Sequence, residues 1–208
     1  MASSRPILLA LPDQLSGARI VLRRYTDSDA AALCATIREA QSHLHRWLPG
    51  FEQPWSLEET LAFVRQAQAR WMLREAFHFA IWHQHTDQLL GALRLRPTDW
   101  SLPAFDVAYW LHPAAEGHGY LSEAVRLVTQ LAFETLGAQR VAIVCDQHNA
   151  RSRRLPERLG YVLEGCLRNN GRGPDGVLFD MLIFALTPVD YQRARGQWSD
   201  VSGDTAGG

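Results

Sequence analysis

The sequence predicts an α/β fold of the α+β kind: a mixed, mostly antiparallel central sheet flanked by helices. Three observations predict it. The middle of the chain alternates strand, helix, strand, helix, strand, an order that places strands parallel to one another. Runs with the look of hairpins stand on both sides of that unit and supply antiparallel strands. Between the first central strand and its helix lies HPAAEGHGYLSEAV, residues 112 to 125, where two glycines sit one residue apart just before a helical run.

In chain order, ARIVLRR (18 to 24) reads as a strand. Asp27 or Ser28 can cap the helix that follows, which runs through Leu33, Cys34 and Ile37. SLEE at 56 to 59 has the form of a capping box and opens a helix with Leu57, Leu61, Val64 and Trp71 on one face. FHFAIWH and LLGALRLR, separated by QHTDQ, are predicted hairpin strands, and FDVAYWL (105 to 111), mixed on both faces, is a predicted central strand. Helical spacing of Leu121, Ala124, Val125, Val128, Leu131 and Ala132 predicts a helix over 120 to 135. RVAIVC (140 to 145) is a short buried strand, a shorter helix falls between Ala150 and Leu159, and strands follow near 161 to 167 and 177 to 185.

The 208 residues suit one domain with a full core. Hydrophobic residues are 47% and charged residues 21%, ordinary for a globular chain, and a formal net charge of -1 gives no sign of direct nucleic-acid binding. Every basic residue is arginine, which we read as a compositional bias. The three cysteines, Cys34, Cys145 and Cys166, are odd in number and far apart, which fits a reducing compartment without a disulfide framework. MASSRPILLALP is too short in apolar residues for a signal peptide, and no run approaches a membrane span, so a cytoplasmic location is expected.

A helix start carries unpaired N–H groups and about half a positive charge. Gly117 and Gly119 strip side chains from the chain just there, an arrangement that can cradle a phosphate. A tight strand-to-helix turn with glycines at positive φ is the alternative, and spacing alone favours neither. Neither the dinucleotide fingerprint GxGxxG nor a P-loop lysine is present.

Further signals lie downstream: N-A-R-S at 149 to 152, then ERLGYVLEG. With AYWL, EGHGYLSEAV and LAFETLGAQRV, the chain resembles the GNAT superfamily of acyl-CoA-dependent N-acyltransferases, and within it the RimJ/RimL branch that acetylates ribosomal-protein N-termini. SHLHRWLP at 42 to 49 also resembles that branch's N-terminal region. The resemblance covers residues 15 to 192 as a single domain, leaving 1 to 14 as an N-terminal extension and 193 to 208 as a flexible tail. It implies acetyl-CoA as co-substrate and no metal. It implies that the loop 116 to 121 (Glu116, Gly117, His118, Gly119, Tyr120 and Leu121) grips the diphosphate of coenzyme A with main-chain N–H groups. Trp110 and Leu111 would pair their backbone with the pantetheine arm, where strands 105 to 111 and 140 to 145 splay apart. Asn149 would hold the arm from the other side, and Ser152 would lie near the thioester sulfur.

Three positions depart from the branch. Ala114 and Glu116 stand where the superfamily often has polar or basic residues. A carboxylate beside a diphosphate costs affinity unless an arginine such as Arg151 or Arg153 takes it up. Pro156 stands where many relatives place an acid tyrosine, and it predicts a distorted or late-starting helix.

The implied chemistry is direct attack by a neutral amine. An N-terminal α-amine is already about a tenth neutral at pH 7, whereas a lysine is far less so, and a modest base suffices for the former. Asp106 is the candidate base, with a solvated strand-end carboxylate as the alternative. Ser152 can donate to the departing thiolate and can equally be a helix cap. Cys145 reads as structural rather than as an acyl carrier.

The histidine pairs 43/45 and 83/85 lack metal-ligand company. Trp47 and Trp55 flank a Pro-Gly loop that can line an acceptor groove, with core packing as the alternative, as it is for Trp71, Trp82 and Trp100. Arg168 and Arg172 fall in a predicted hairpin loop. The leading acceptor is the N-terminus of a protein or peptide, ribosomal or other. A small-molecule amine is the first alternative and a catalytically weak acyl-CoA-binding module the second. The sequence leaves a homodimer open.

Overall fold

A computed structural model describes residues 5 to 200, with the side chains of 199 and 200 outside the description. Eight strands form one sheet: β1 (Gln14–Ser16), β2 (Ile20–Arg24), β3 (Phe77–His83), β4 (Leu89–Asp99), β5 (Ala104–Leu111), β6 (Arg140–Asp146), β7 (Val162–Arg172) and β8 (Leu178–Leu186). Their order in space is β1-β2-β3-β4-β5-β6-β8-β7. Every neighbouring pair is antiparallel except β5 and β6. Five α-helices accompany the sheet: α1 (Ala30–Trp47), α2 (Leu57–Leu73), α3 (Tyr120–Gln130), α4 (Ala150–Arg158) and α5 (Pro188–Asp200).

Strand alternation divides the core. Phe79, Leu93, Leu95, Phe105 and Val107 point to the face where Ala124, Val125 and Val128 of α3, Leu155 of α4 and Tyr191 of α5 pack. Ala80, Trp82 and Leu89 point to the other face, against Leu33, Ile37 and Leu44 of α1 and Val64 and Ala67 of α2.

Local signals hold at most boundaries. Ser56 caps α2, accepting from the Glu59 N–H at 3.1 Å while Glu59 accepts from the Ser56 N–H at 2.7 Å. The entry to α1 differs from expectation. A 3-10 turn (Asp27–Asp29) precedes it, and the reciprocal cap is Thr26 with Asp29, the Thr26 N–H donating to Asp29 at 2.8 Å. Asp27 instead accepts from Arg65 and Gln68 of α2. On α2, Leu57 is exposed and Thr60 takes a buried place, its hydroxyl donating to the Ser56 carbonyl at 2.8 Å. The helix over 120 to 135 ends as a π-turn (Leu131–Thr135).

Both chain ends differ from the expected domain limits. Leu9 and Leu11 pack against the core, and Arg74 donates to the Leu9 carbonyl at 2.5 Å, so part of the expected N-terminal extension is docked. Where a flexible tail was expected from 193, α5 continues, with Ala194 and Trp198 buried beside Tyr191. These residues recur at helical spacing, so the apolar face simply runs on. The remainder of the expected tail, 201 to 208, lies outside the described residues. Among the described residues no helix is long and apolar enough to cross a membrane.

Candidate active site

The parallel seam positions the site. β5 pairs with β6 from Ala104↔Arg140 to Val107↔Ile143, while it stays paired with β4 as far as Leu111. Beyond Val107 the two parallel strands part. Trp110 and Leu111 therefore lie along the open edge. Their side chains point to opposite faces: Leu111 is in the core on the α3 side, and Trp110 packs against the α1–α2 cluster.

At the mouth of the opening stands the glycine loop. A 3-10 turn (Pro113–Ala115) leads to Gly117 at φ 80° and Gly119 at φ 78°, and α3 begins at Tyr120. Both glycines occupy the left-handed region that side chains disfavour. Along residues 117 to 121, no main-chain N–H has an acceptor among the described residues. The positive φ values bear out the turn reading, and the N–H groups without acceptors are those that a cradle would use.

The loop is anchored from behind by a residue that sequence reasoning did not single out. Arg19 donates to the His118 carbonyl at 2.7 Å, and its side chain and main-chain N–H both reach Glu123, at 3.0 and 2.9 Å. Its guanidinium also lies over the Tyr120 ring, 5.4 Å from the centroid, and the His118 ring stacks on the other residue of that pair at 5.5 Å. The partners are about a hundred positions away in the chain, so no local pattern announces them. Leu121 packs at the margin of the core.

Glu116 does not face the loop's free N–H groups alone. Arg151 of α4 forms an ion pair with it, and His43 of α1 approaches its other oxygen at 3.2 Å. The expected compensation by an arginine is thus present.

Across the opening, Asn149 caps α4, its side-chain oxygen accepting from the Ser152 N–H at 3.0 Å. Pro156 sits inside the helix, which nonetheless begins at Ala150 and is not delayed. Having no N–H, the proline leaves the Ser152 carbonyl without its intrahelical donor. Tyr109 of β5 takes that place: its hydroxyl lies 3.4 Å from both the carbonyl and the hydroxyl oxygen of Ser152. Burial raises the Tyr109 phenol well above its ordinary range, so it stays protonated. Burial likewise pushes the Cys145 thiol up to about 11, offset in part by its bond to Ser152. Tyr109, Ser152 and Cys145 therefore converge. Tyr109 was legible in principle, because alternation with Val107 and Leu111 aims it at the α4 side.

Asp106 lies on the opposite sheet face, within the last paired stretch of the seam, in an ion pair with Arg96 of β4. Beside it Ala108 of β5 and Val144 of β6 are exposed, so this face is uncovered at the opening. Trp55 is half-buried against the core, stacked on Phe51 at 5.3 Å, and it donates to the Gly50 carbonyl at 2.8 Å; Trp47 is half-buried beneath Arg46. Arg168 and Arg172 belong to β7 rather than to a loop, and Arg172 closes the hairpin by donating to the Gly176 carbonyl at 2.7 Å. Among the described residues no three His, Cys, Asp or Glu side chains gather as a metal site.

Fold and site together define a class: a sheet opened at its one parallel seam, with an amide-lined turn at the mouth and a capped helix opposite. Comparison with known proteins gives that class its name. The acetyltransferase (GNAT) domain family matches residues 19–162. YdaF of Bacillus subtilis (strain 168), provisionally named a ribosomal N-acetyltransferase, is 28% identical over 176 residues, covering 85% of this chain and 95% of that protein. Two solved structures share the fold. One is RimL, described as the ribosomal L7/L12 alpha-N-protein acetyltransferase in complex with coenzyme A, with a TM-score of 0.77, 22% identity and coverage of 82% and 95%. The other is the microcin C7 self-immunity acetyltransferase MccE, in complex with acetyl-CoA and AMP, with a TM-score of 0.80, 19% identity and coverage of 85% and 97%. The chain belongs to the GNAT acetyltransferase family, and it is an acetyltransferase.

Proposed function

We propose that the protein transfers the acetyl group of acetyl-CoA to the α-amine at the N-terminus of a peptide or protein. The observation that carries the donor half is the run of unpaired N–H groups at 117 to 121, at the mouth of an opening between two strands. Such a run, at the positive end of α3, suits the diphosphate of coenzyme A. Glu116, turned to Arg151 and His43, leaves that run open to an anion. The exposed strip around Ala108 and Val144 offers an extended acceptor room beside the same opening. YdaF and RimL, both named for ribosomal acceptors, support the peptide reading. MccE, with AMP beside acetyl-CoA, keeps a small-molecule amine as the second reading.

In this reading Trp110 and Leu111 bond the pantetheine arm through their main chains and Asn149 holds it from α4. The neutral amine attacks the thioester carbon, the C–N bond forms, and the C–S bond breaks. The thiolate accepts a hydrogen bond from Ser152, which Tyr109 orients, and the ammonium proton leaves through water to Asp106. A thiol pushed up to about 11 by burial is a poor nucleophile at neutral pH, which favours direct attack by the amine over an acyl group carried on Cys145.

The experiment is a CoA-release assay over peptides and small amines. Peptide kcat/KM at least tenfold above any small amine supports the first reading, and the reverse order the second. Tight acetyl-CoA binding without release on any acceptor would leave a binding module. Two variants refine it. Arg19→Ala should weaken acetyl-CoA binding about tenfold, because the His118 carbonyl and Glu123 lose their shared charge-assisted donor. An unchanged Kd by calorimetry would remove Arg19 from loop support. Asp106→Asn should lower kcat at neutral pH and recover as pH rises and more amine is neutral. A constant deficit from pH 6 to 9 would show that Asp106 is not the base.

A further inference from the structure

An arginine-lined cleft opens on the acceptor face, and nothing in acetyl transfer itself requires it. It has a volume of about 290 Å³ and is bounded by Arg70, Glu75, Ala76, Arg94 and Arg96. The register places these charges. Arg94 stands directly across β4–β5 from Ala108, and Arg96 from Asp106. On the other side Arg94 stands across from His78 of β3. All five side chains therefore share one sheet face, the one that is uncovered at the opening.

The charges in the cleft are not balanced. Arg96 is taken up by Asp106, and Glu75 is the one carboxylate in the wall. Arg70 and Arg94 form no ion pair within the described residues. Two buried nitrogens, Arg94 Nε and His78 Nε2, have no hydrogen-bond partner among the described residues. Burial, then the Arg94 and Arg70 charges, push the His78 imidazole down to about 4, so it contributes no further cation. The same crowding lowers Arg94, through burial first and Arg96 next. In a chain of net charge -1, a cleft with two guanidinium groups outside any ion pair among the described residues, one of them with a buried Nε lacking an acceptor there, suits an anion.

We propose that this cleft binds a carboxylate side chain carried by the acceptor, within the first few residues after the reacting amine. The inference rests on the reading of the protein as an N-terminal acetyltransferase and names the acceptor class more narrowly. Distance selects the side chain. Arg94 is one strand from Ala108 at the edge of the opening, so its guanidinium lies about 5–10 Å from an amine placed there. An extended peptide advances about 3.3–3.6 Å per residue, which brings the second or third residue to the cleft. The α-carboxylate of a free amino acid sits too close to its own amine to span that gap. A planar, two-pronged guanidinium is also the side chain best shaped for a carboxylate.

The test uses the full chain saturated with CoA and a set of peptides with Asp or Asn at positions two and three. Binding is followed by calorimetry, and turnover by CoA release. The wild type should bind the Asp peptides about tenfold or more tighter than the Asn peptides, with the preference shrinking as salt rises. In Arg94→Gln the Asp-to-Asn ratio should fall toward one. Arg70→Gln, on the exposed surface of α2, should lower the same ratio without touching the sheet, which covers the case in which the Arg94 variant folds poorly. Equal binding of Asp and Asn peptides by the wild type overturns the proposal. So does a ratio unchanged in both variants, or a carboxylate preference confined to free amino acids over their amides. Selective binding of Asp peptides without any acetylation leaves the cleft standing and removes the reading of function instead.

Discussion

Gly119→Val is expected to weaken acetyl-CoA binding by about 100-fold, with the protein still folded. Two penalties coincide at this position. A β-branched residue at φ 78° costs about 1–3 kcal/mol of backbone strain. A Cβ there would also lie 3.2 Å from the Arg19 guanidinium, displacing the group that holds the His118 carbonyl. The loop would answer by turning its N–H groups away from their common focus. Gly117 separates the two effects. Its φ is 80°, yet a Cβ added there meets nothing within 4 Å among the described residues. Gly117→Val should therefore show the strain alone, a loss of about tenfold. Calorimetric Kd values that are equal for the two variants would refute the contribution of Arg19, and values within threefold of wild type for both would refute the cradle.

Ser152→Ala should lower kcat by about 100-fold while leaving the Kd for acetyl-CoA within twofold. Removing a preorganised donor from an acyl-transfer site costs about 2.7–4 kcal/mol of transition-state stabilisation. Tyr109→Phe should cost nearly as much, and the double variant little more than the worse single one, because in the proposed reaction the two hydroxyls would serve one leaving group. Full additivity would mean that they act separately. The tyrosine variant carries a second signature. It strands the Ser152 carbonyl, whose helical donor Pro156 has already removed, and should lower stability by about 1–3 kcal/mol. Adding Pro156→Ala to it restores an N–H and should raise the denaturant midpoint without restoring turnover. Recovery of both together would show that Tyr109 is only structural.

These residues differ in how they can be read from the chain. Gly117, Gly119 and the start of α3 are neighbours in sequence, so local backbone chemistry exposes them. Asn149 and Ser152 form a helix cap, again a local device. The alternation of FDVAYWL and the capping box at Ser56 are equally short-ranged, and most of the expected strands and helices lie close to their bounds, whereas β7 runs on to Arg172 and α5 was not foreseen. Arg19, Tyr109 and the Arg70–Arg94–Arg96 cleft act through partners brought together only by sheet register and helix packing. No spacing rule links Arg19 to Glu123, or Tyr109 to a carbonyl freed by Pro156. The position of β8 between β6 and β7 is of the same kind, since sequence order alone suggests the reverse. Trp198 shows a different limit: its apolar face continues beyond the last local motif, so no short-range signal marks it.

The seam between β5 and β6 has a mechanical consequence. Backbone pairing between them covers only four residues on each strand, so the sheet consists of two leaves stitched along a short line. Any donor molecule seated between the leaves fastens to both and acts as a staple for the whole sheet. Binding should therefore slow amide exchange far from the contact, in β4 and β8 as well as along the hinge, and an empty protein should breathe at that line first.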